Sequence, residues 1–189
     1  MNKVIINSFL KSLTFSLIIA FCFACSEDES SNDPENDNNE EESTVDESNT
    51  ESGIETNIDN SQILAIINEH REAGVVCNKT SKEAVPALEW DDNLAKAALD
   101  HSNDMQKNDY FSHDGLNGSS FSDRVKETDF DGFPVGENIA KGYQSEESVM
   151  DGWMNSEGHC KNIMNGNATH IGVARSDDGA LWTMVLGNK

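Results

Sequence analysis

Basic residues are scarce in this 189-residue chain: 13 Lys and Arg stand against 35 Asp and Glu, a formal net charge of −22. From Ser26 to Asn60 there is no Lys or Arg at all, while 14 acidic residues fall in that stretch. Such a segment repels itself and has too little apolar surface to build a core, so residues 25–60 are expected to form an extended, disordered acidic tether. Low-affinity calcium binding by this run is the alternative to a solvated spacer. Two Lys precede the tether, which leaves 11 basic and 21 acidic residues for Ser61 to Lys189, a net of −10. That balance argues against nucleic acid as a partner. Cysteine is also sparse, with four in all, and no internal repeat is present. The roughly 130 residues after the tether suit one domain with one core.

Lys3 and Lys11 stand around a hydrophobic run, Leu13 to Ala24, that is too short to span a bilayer comfortably and ends in small residues before Cys25. Residues 1–24 are therefore expected to be a removable secretion signal, with a plain transmembrane anchor as the alternative. Cys22, Phe23 and Ala24 resemble a lipobox, in which the cysteine after the cut becomes diacylated; Ala24 is the small residue beside the cut, and Cys22 stands where Leu is usual. Lipidated Cys25 would anchor the protein to a membrane, since each buried methylene contributes about 0.8 kcal/mol. Ser26, Glu27, Asp28 and Glu29 resemble the acidic export signal of Bacteroidetes lipoproteins on the outer face of the outer membrane; alternatively they only begin the acidic linker. The expectation is an exported outer-membrane lipoprotein exposed at the cell surface.

With Cys22 and Cys25 assigned to the leader and the anchor, Cys77 and Cys160 remain for the folded part, and an exported pair reads as one disulfide. It would close a loop of roughly 80 residues and contribute about 4 kcal/mol by chain entropy. A metal site using both thiolates is the competing idea, disfavoured by oxidising surroundings. Ile63, Leu64, Ile66, Ile67 and His70 recur at helical spacing after a cap at Asn60 or Ser61, and Gly74 stops that helix. A second helix follows Asp91 or Asp92, a third Ser119 or Ser120, and a fourth Ser145. Strand patterns come late, at Val135 to Ala140, Ile171 to Arg175 and Leu181 to Leu186, with Asp177, Asp178 and Gly179 as a hairpin turn. Helices first and strands last predict an α+β fold, a small antiparallel sheet covered by helices.

His101 lies within an apolar helical stripe and His170 just before a strand, and both read as structural. His113 follows Tyr110, Phe111 and Ser112 in a loop, where an imidazole can face a cleft. His159 sits in a turn next to Cys160, so the bridge would hold it rigid, as a metal ligand or acid/base group needs. Glu137 is a carboxylate at the edge of an apolar strand and requires a cation or donors.

Tyr110 to His113 (YFSH), Gly136 to Ala140 (GENIA), Trp153 to Met164 (WMNSEGHCKNIM), Ile171 to Ala174 (IGVA) and Leu181 to Gly187 (LWTMVLG) resemble, in order and spacing, the bacterial SCP-like branch of the CAP superfamily. The superfamily is named for cysteine-rich secretory proteins, antigen 5 and pathogenesis-related class 1 proteins. Each motif alone is weak; five in sequence across Ser61 to Gly187 carry the likeness. The resemblance implies an α-β-α sandwich for residues 61–189 and supports the Cys77 to Cys160 pairing. It also implies a cleft of two histidines and two acids able to take zinc or another divalent cation. His113, Glu137 and His159 match three of these positions, whereas Ser156 stands where many eukaryotic relatives have the second glutamate. His113 and His159, with Glu137 and water, make a chemically sensible open zinc site; the alternative is a hydrogen-bonded network without metal.

Three functions follow. The first is a non-catalytic extracellular module that binds a lipid, glycan or protein ligand in the cleft, with or without a divalent cation, while membrane attachment through Cys25 presents it. The second is a hydrolase acting on envelope or extracellular substrates, either zinc-dependent or using Ser156, His159 and Glu137 as nucleophile, base and orienter. Against it, Ser156 also fits as the N-cap of the turn that holds His159, and no G-x-S-x-G elbow surrounds it. The third is a structural partner in an envelope complex.

Overall fold

The computed structural model describes residues 53–189; the expected leader, the lipidation site at Cys25 and most of the acidic tether lie outside these residues. Helix α1 (Asn60–Ala73) is capped by Asp59 rather than by Asn60 or Ser61, its carboxylate accepting the Gln62 N–H. Asp59 belongs to the stretch expected to be tether. Thr56 is also buried, and its carbonyl accepts the Arg175 N–H at 2.9 Å. Ordered packing therefore begins some residues before Ser61, because the end of a strand needs a backbone partner. Gly74, at φ 68°, ends α1 as expected.

A short hairpin follows, β1 (Val75–Cys77) and β2 (Thr80–Lys82), and then β3 (Glu89–Trp90). Helix α2 (Asp92–Lys107) begins at Asp91, which accepts from the N–H groups of Asn93 and Leu94. A capping box of Ser120 and Asp123 starts α3 (Phe121–Lys126). Strand β4 (Phe133–Lys141), helices α4 (Glu146–Met154) and α5 (Glu157–Ile163), and strands β5 (His170–Arg175) and β6 (Leu181–Asn188) complete the order.

The main sheet runs β3-β5-β6-β4. It is antiparallel apart from a two-residue parallel pairing of β3 with β5 at one edge. Strict alternation along β5 and β6 sorts the core into two layers. Ile171, Val173, Trp182, Met184 and Leu186 pack with Ile63, Ile67, Val149, Met150, Trp153 and Ile163 of α1, α4 and α5. Ala174 and Val185 face the other way, onto Leu94, Ala97, Ala98 and Val125 of α2 and α3. Both faces of the sheet are covered, so the architecture is an α-β-α sandwich. Gly172 explains its own place: a Cβ there would lie 1.9 Å from the Ala95 backbone nitrogen, so α2 can approach β5 this closely only across a glycine.

The bridge joins Cys77 in β1 to Cys160 in α5, with a Cα–Cα distance of 5.6 Å and 83 residues of separation. Both cysteines are buried. Arg71 near the end of α1 is also buried. It donates to the carbonyls of Pro86, Ile163, Asn165 and Ala168, which ties α1 to the end of α5.

Candidate functional site

Glu137 lies opposite Val185 in the β4–β6 pairing, on the face that meets α2 and α3. Its side chain is 1% exposed, and both oxygens are engaged. Oε2 accepts from Arg124 Nη2 at 2.7 Å, and Oε1 contacts His113 Nδ1 at 2.8 Å. A buried carboxylate needs this compensation. Arg124 donates as well to the carbonyls of His113 and Ser119, at 2.9 and 3.0 Å, so one guanidinium pins the loop after α2 to β4. His113 itself is 54% exposed, and the hydrogen bond to Glu137 holds its pKa above the usual histidine value. With Nδ1 turned to the carboxylate, Nε2 is the nitrogen left for a ligand.

The next residue along β4 reaches α5. Asn138 is buried; its Nδ2 donates to the His159 carbonyl at 3.2 Å, and its Oδ1 accepts from Asn162 Nδ2 at 2.9 Å. Asn162 donates to the Glu137 carbonyl too. His159 is half-buried, and its pKa is lowered first by burial and then by the positive charge of His113. Adjacent residues of β4 thus hold the His113 ring, through Glu137, and the His159 backbone carbonyl, through Asn138. Of these candidates His113 and Glu137 are in direct contact, while no hydrogen bond joins the His159 ring to either among the described residues. His159 lies in helix α5 rather than in a turn.

Ser156 occupies the N-cap position of α5 by its backbone, but its side chain makes no capping bond. Nor does any hydrogen bond join it to His159 or Glu137 among the described residues. The adjacent Glu157 does not substitute for the missing acid, since its carboxylate binds Lys161 at 2.6 Å and Asn78 at 3.1 Å on the surface. His101 is buried, with Nε2 against the Ser112 carbonyl at 2.9 Å. His170 contacts Thr169 Oγ1 and has an acidic neighbour that the sequence did not reveal, Glu89 at 3.7 Å. Arg124, Asn138 and Asn162 are the site residues that sequence reasoning missed.

Among the described residues no group of three His, Cys, Asp or Glu side chains is placed to hold a metal ion. Both Glu137 oxygens are already taken, so that carboxylate can serve a cation only through His113, in the way a carboxylate orients a metal-bound imidazole. The described residues therefore do not form a closed tetrahedral site. A cavity of about 350 Å³ between α2, α3 and the 108–119 loop shares Arg124 with the cluster, but His113, Glu137 and His159 are not in its walls.

A small sheet buried between helical layers, with a glutamate-centred cluster on one strand, defines an α-β-α sandwich domain. Residues 64–187 match the cysteine-rich secretory protein family, CAP, and the chain belongs to that family. It is 43% identical over 102 residues to the uncharacterised protein YkwD of Bacillus subtilis, which covers 54% of this chain and 40% of that protein. It is 44% identical over 92 residues to the uncharacterised membrane protein YlbC of the same organism, covering 49% of this chain and 27% of that one. The chain thus spans less than half the length of these curated relatives. Among solved structures, an extracellular SCP-domain protein of Bacillus anthracis superposes with a TM-score of 0.59 at 34% identity, over 68% of this chain and 40% of that one. An outer surface protein of Borrelia burgdorferi shares the fold, with a TM-score of 0.55 at 24% identity over 70% of this chain and 96% of that one.

Proposed function

We propose that this protein is an exported, membrane-tethered and non-catalytic binding module whose His113–Glu137–His159 cleft takes an extracellular ligand, with a divalent cation held by the two histidines. The observation that carries this reading is the buried Glu137, fixed by Arg124 and turned onto His113 Nδ1 so that Nε2 is the ring nitrogen left for a ligand. A cation there would supply a Lewis-acidic contact for a ligand oxygen or nitrogen. His113 and His159 would bind it, Glu137 would orient His113, and Arg124 would keep Glu137 in place.

Export and anchoring rest on the leader pattern before Cys25 and on the description of the Bacillus anthracis neighbour as extracellular. Attachment would run through Cys25, as the lipobox-like residues before it suggest; among the described residues no helix is long and apolar enough to cross a membrane. The serine variant of a hydrolase gains no support, because among the described residues Ser156 has no hydrogen bond to a base.

Thermal unfolding of the full chain with and without zinc tests the reading. A zinc-dependent rise in midpoint that disappears in His113→Ala and in His159→Ala is expected. No rise in the parent protein, or an equal rise in all three, refutes the cation site.

A further inference from the structure

The hairpin of β1 and β2 stands outside the main sheet. Strand β1 lies against α5 and is joined to it by the Cys77–Cys160 bridge, whereas β2 packs chiefly on β1. Among the described residues no strand pairs with the outer edge of β2. That edge is accessible, since Lys79, Thr80, Ser81 and Glu83 are all exposed. An open groove of about 510 Å³ adjoins it, lined by Ala73, Gly74, Val76, Ser81, Glu83 and Ala84. The backbone there has unused capacity. Cys77 and Thr80 close a two-residue turn and form the hydrogen-bonded pair beside it, so the next pair, Val76 and Ser81, turns its N–H and C=O groups outward. Neither backbone group of Ser81 has a partner among the described residues. Exposed strand groups of this kind are a template for a further strand.

Charge selects which strand fits. Two copies of β2 related by a two-fold axis pair antiparallel, and one residue must then stand opposite itself. Centred on Lys82 or on Glu83, the pairing sets like charges against each other, which is unfavourable. Centred on Ser81, it lets the two copies of that residue exchange both outward hydrogen bonds, and it sets Lys79 opposite the partner subunit's Glu83 on both sides of the axis. Among the described residues neither Lys79 nor Glu83 forms a salt bridge within its own chain. The edge is therefore complementary to itself in hydrogen bonding and in charge at one register.

We propose that the outer edge of β2 is a self-association surface, at which two copies of this chain join antiparallel about Ser81 and extend the two hairpins into one continuous sheet. The pairing does not depend on the reading of the histidine cleft.

Ser81→Cys in the full chain would put two thiols in a directly opposed pair, with about 5.5 Å between Cα atoms, which is within disulfide reach. A brief oxidation pulse in detergent at about 50 µM protein should yield peptides joined at position 81, read by mass spectrometry. The yield should exceed that of Asn117→Cys, a control on an exposed loop, by about fivefold or more. Lys79→Glu or Glu83→Lys, each added to Ser81→Cys, should lower it about tenfold, because attraction becomes repulsion at both pairs. Mixing these two reversed variants should restore the yield, since each then meets its opposite charge. Sedimentation of the parent chain, with no added cysteine, should show a dimer growing with concentration, and Glu83→Lys should abolish it. Four results overturn the proposal: a yield no higher than the control, indifference to either charge reversal, no rescue on mixing, or a parent chain that stays monomeric.

Discussion

Replacing Arg124 with methionine isolates the interaction on which the cluster depends. The pair is 2.7 Å apart, with the arginine side chain 11% exposed and the glutamate 1% exposed. Solvent therefore screens it weakly. Methionine fills most of the same space, so the cavity cost is small. The loss comes instead from a stranded carboxylate and from two carbonyls, those of His113 and Ser119, that lose their donor. Breaking a buried pair from one side costs about 3–5 kcal/mol, and about 4 is expected here. Adding Glu137→Gln removes the stranded charge, so the double variant should lose only about 2 kcal/mol. Urea unfolding of the parent, both single variants and the double variant at pH 7 closes the cycle. A cost below about 1 kcal/mol for Arg124→Met, or plain additivity of the two changes, would show that the pair is not a coupled buried unit.

Reduction of the Cys77–Cys160 bridge, which spans 83 residues, should cost about 4 kcal/mol, read as a lower urea midpoint in dithiothreitol; an unchanged midpoint with both thiols demonstrably free contradicts this. Histidine titration by NMR should place His113 above the ordinary value of about 6.5 and both His159 and His101 below it. The raised His113 adds stability that is full below about pH 6.5 and is lost as pH rises through its folded value. The lowered His159 and His101 add stability that is present above about pH 6.5 and is lost as pH falls through theirs. Glu137→Gln should bring the His113 midpoint down, and a His159 midpoint above that of His113 would contradict the arrangement. Gly172→Ala forces a methyl onto the Leu94 and Ala95 backbone, which cannot give way, so a loss of more than about 3 kcal/mol is expected, and a parent-like midpoint would be inconsistent with the packing.

The long elements were legible because their signals are local. The stripe of Leu94, Ala97, Ala98, His101 and Met105 is a helix face, and Asp177, Asp178 and Gly179 form the expected turn, with Gly179 at φ 73°. The hairpin of β1 and β2 escaped notice because each strand has three residues and its turn is Asn78–Lys79 rather than a pair with glycine, although Asn78 does take a positive φ. Strand β3 has only two residues and exists through its distant partner β5. The site divides in the same manner. His113, Glu137 and His159 stand in recognisable motifs, whereas Arg124 sits in a six-residue helix with no pattern around it, and only the folded chain brings it 2.7 Å from Glu137. The cap of α1 was misplaced by one or two residues because Asp59 looks like one more acid of the tether, and nothing local distinguishes a capping carboxylate from a solvated one.

The position of the disulfide links oxidation to the anchoring of helix α5. Cys160 adjoins His159, and its partner Cys77 belongs to a hairpin outside the main sheet. Until the two thiols are oxidised, the helix that displays this imidazole is held by contacts alone, while His113 and Glu137 depend on a different part of the molecule. In a newly made polypeptide the attachment of α5 to the hairpin is therefore completed only when it meets an oxidant.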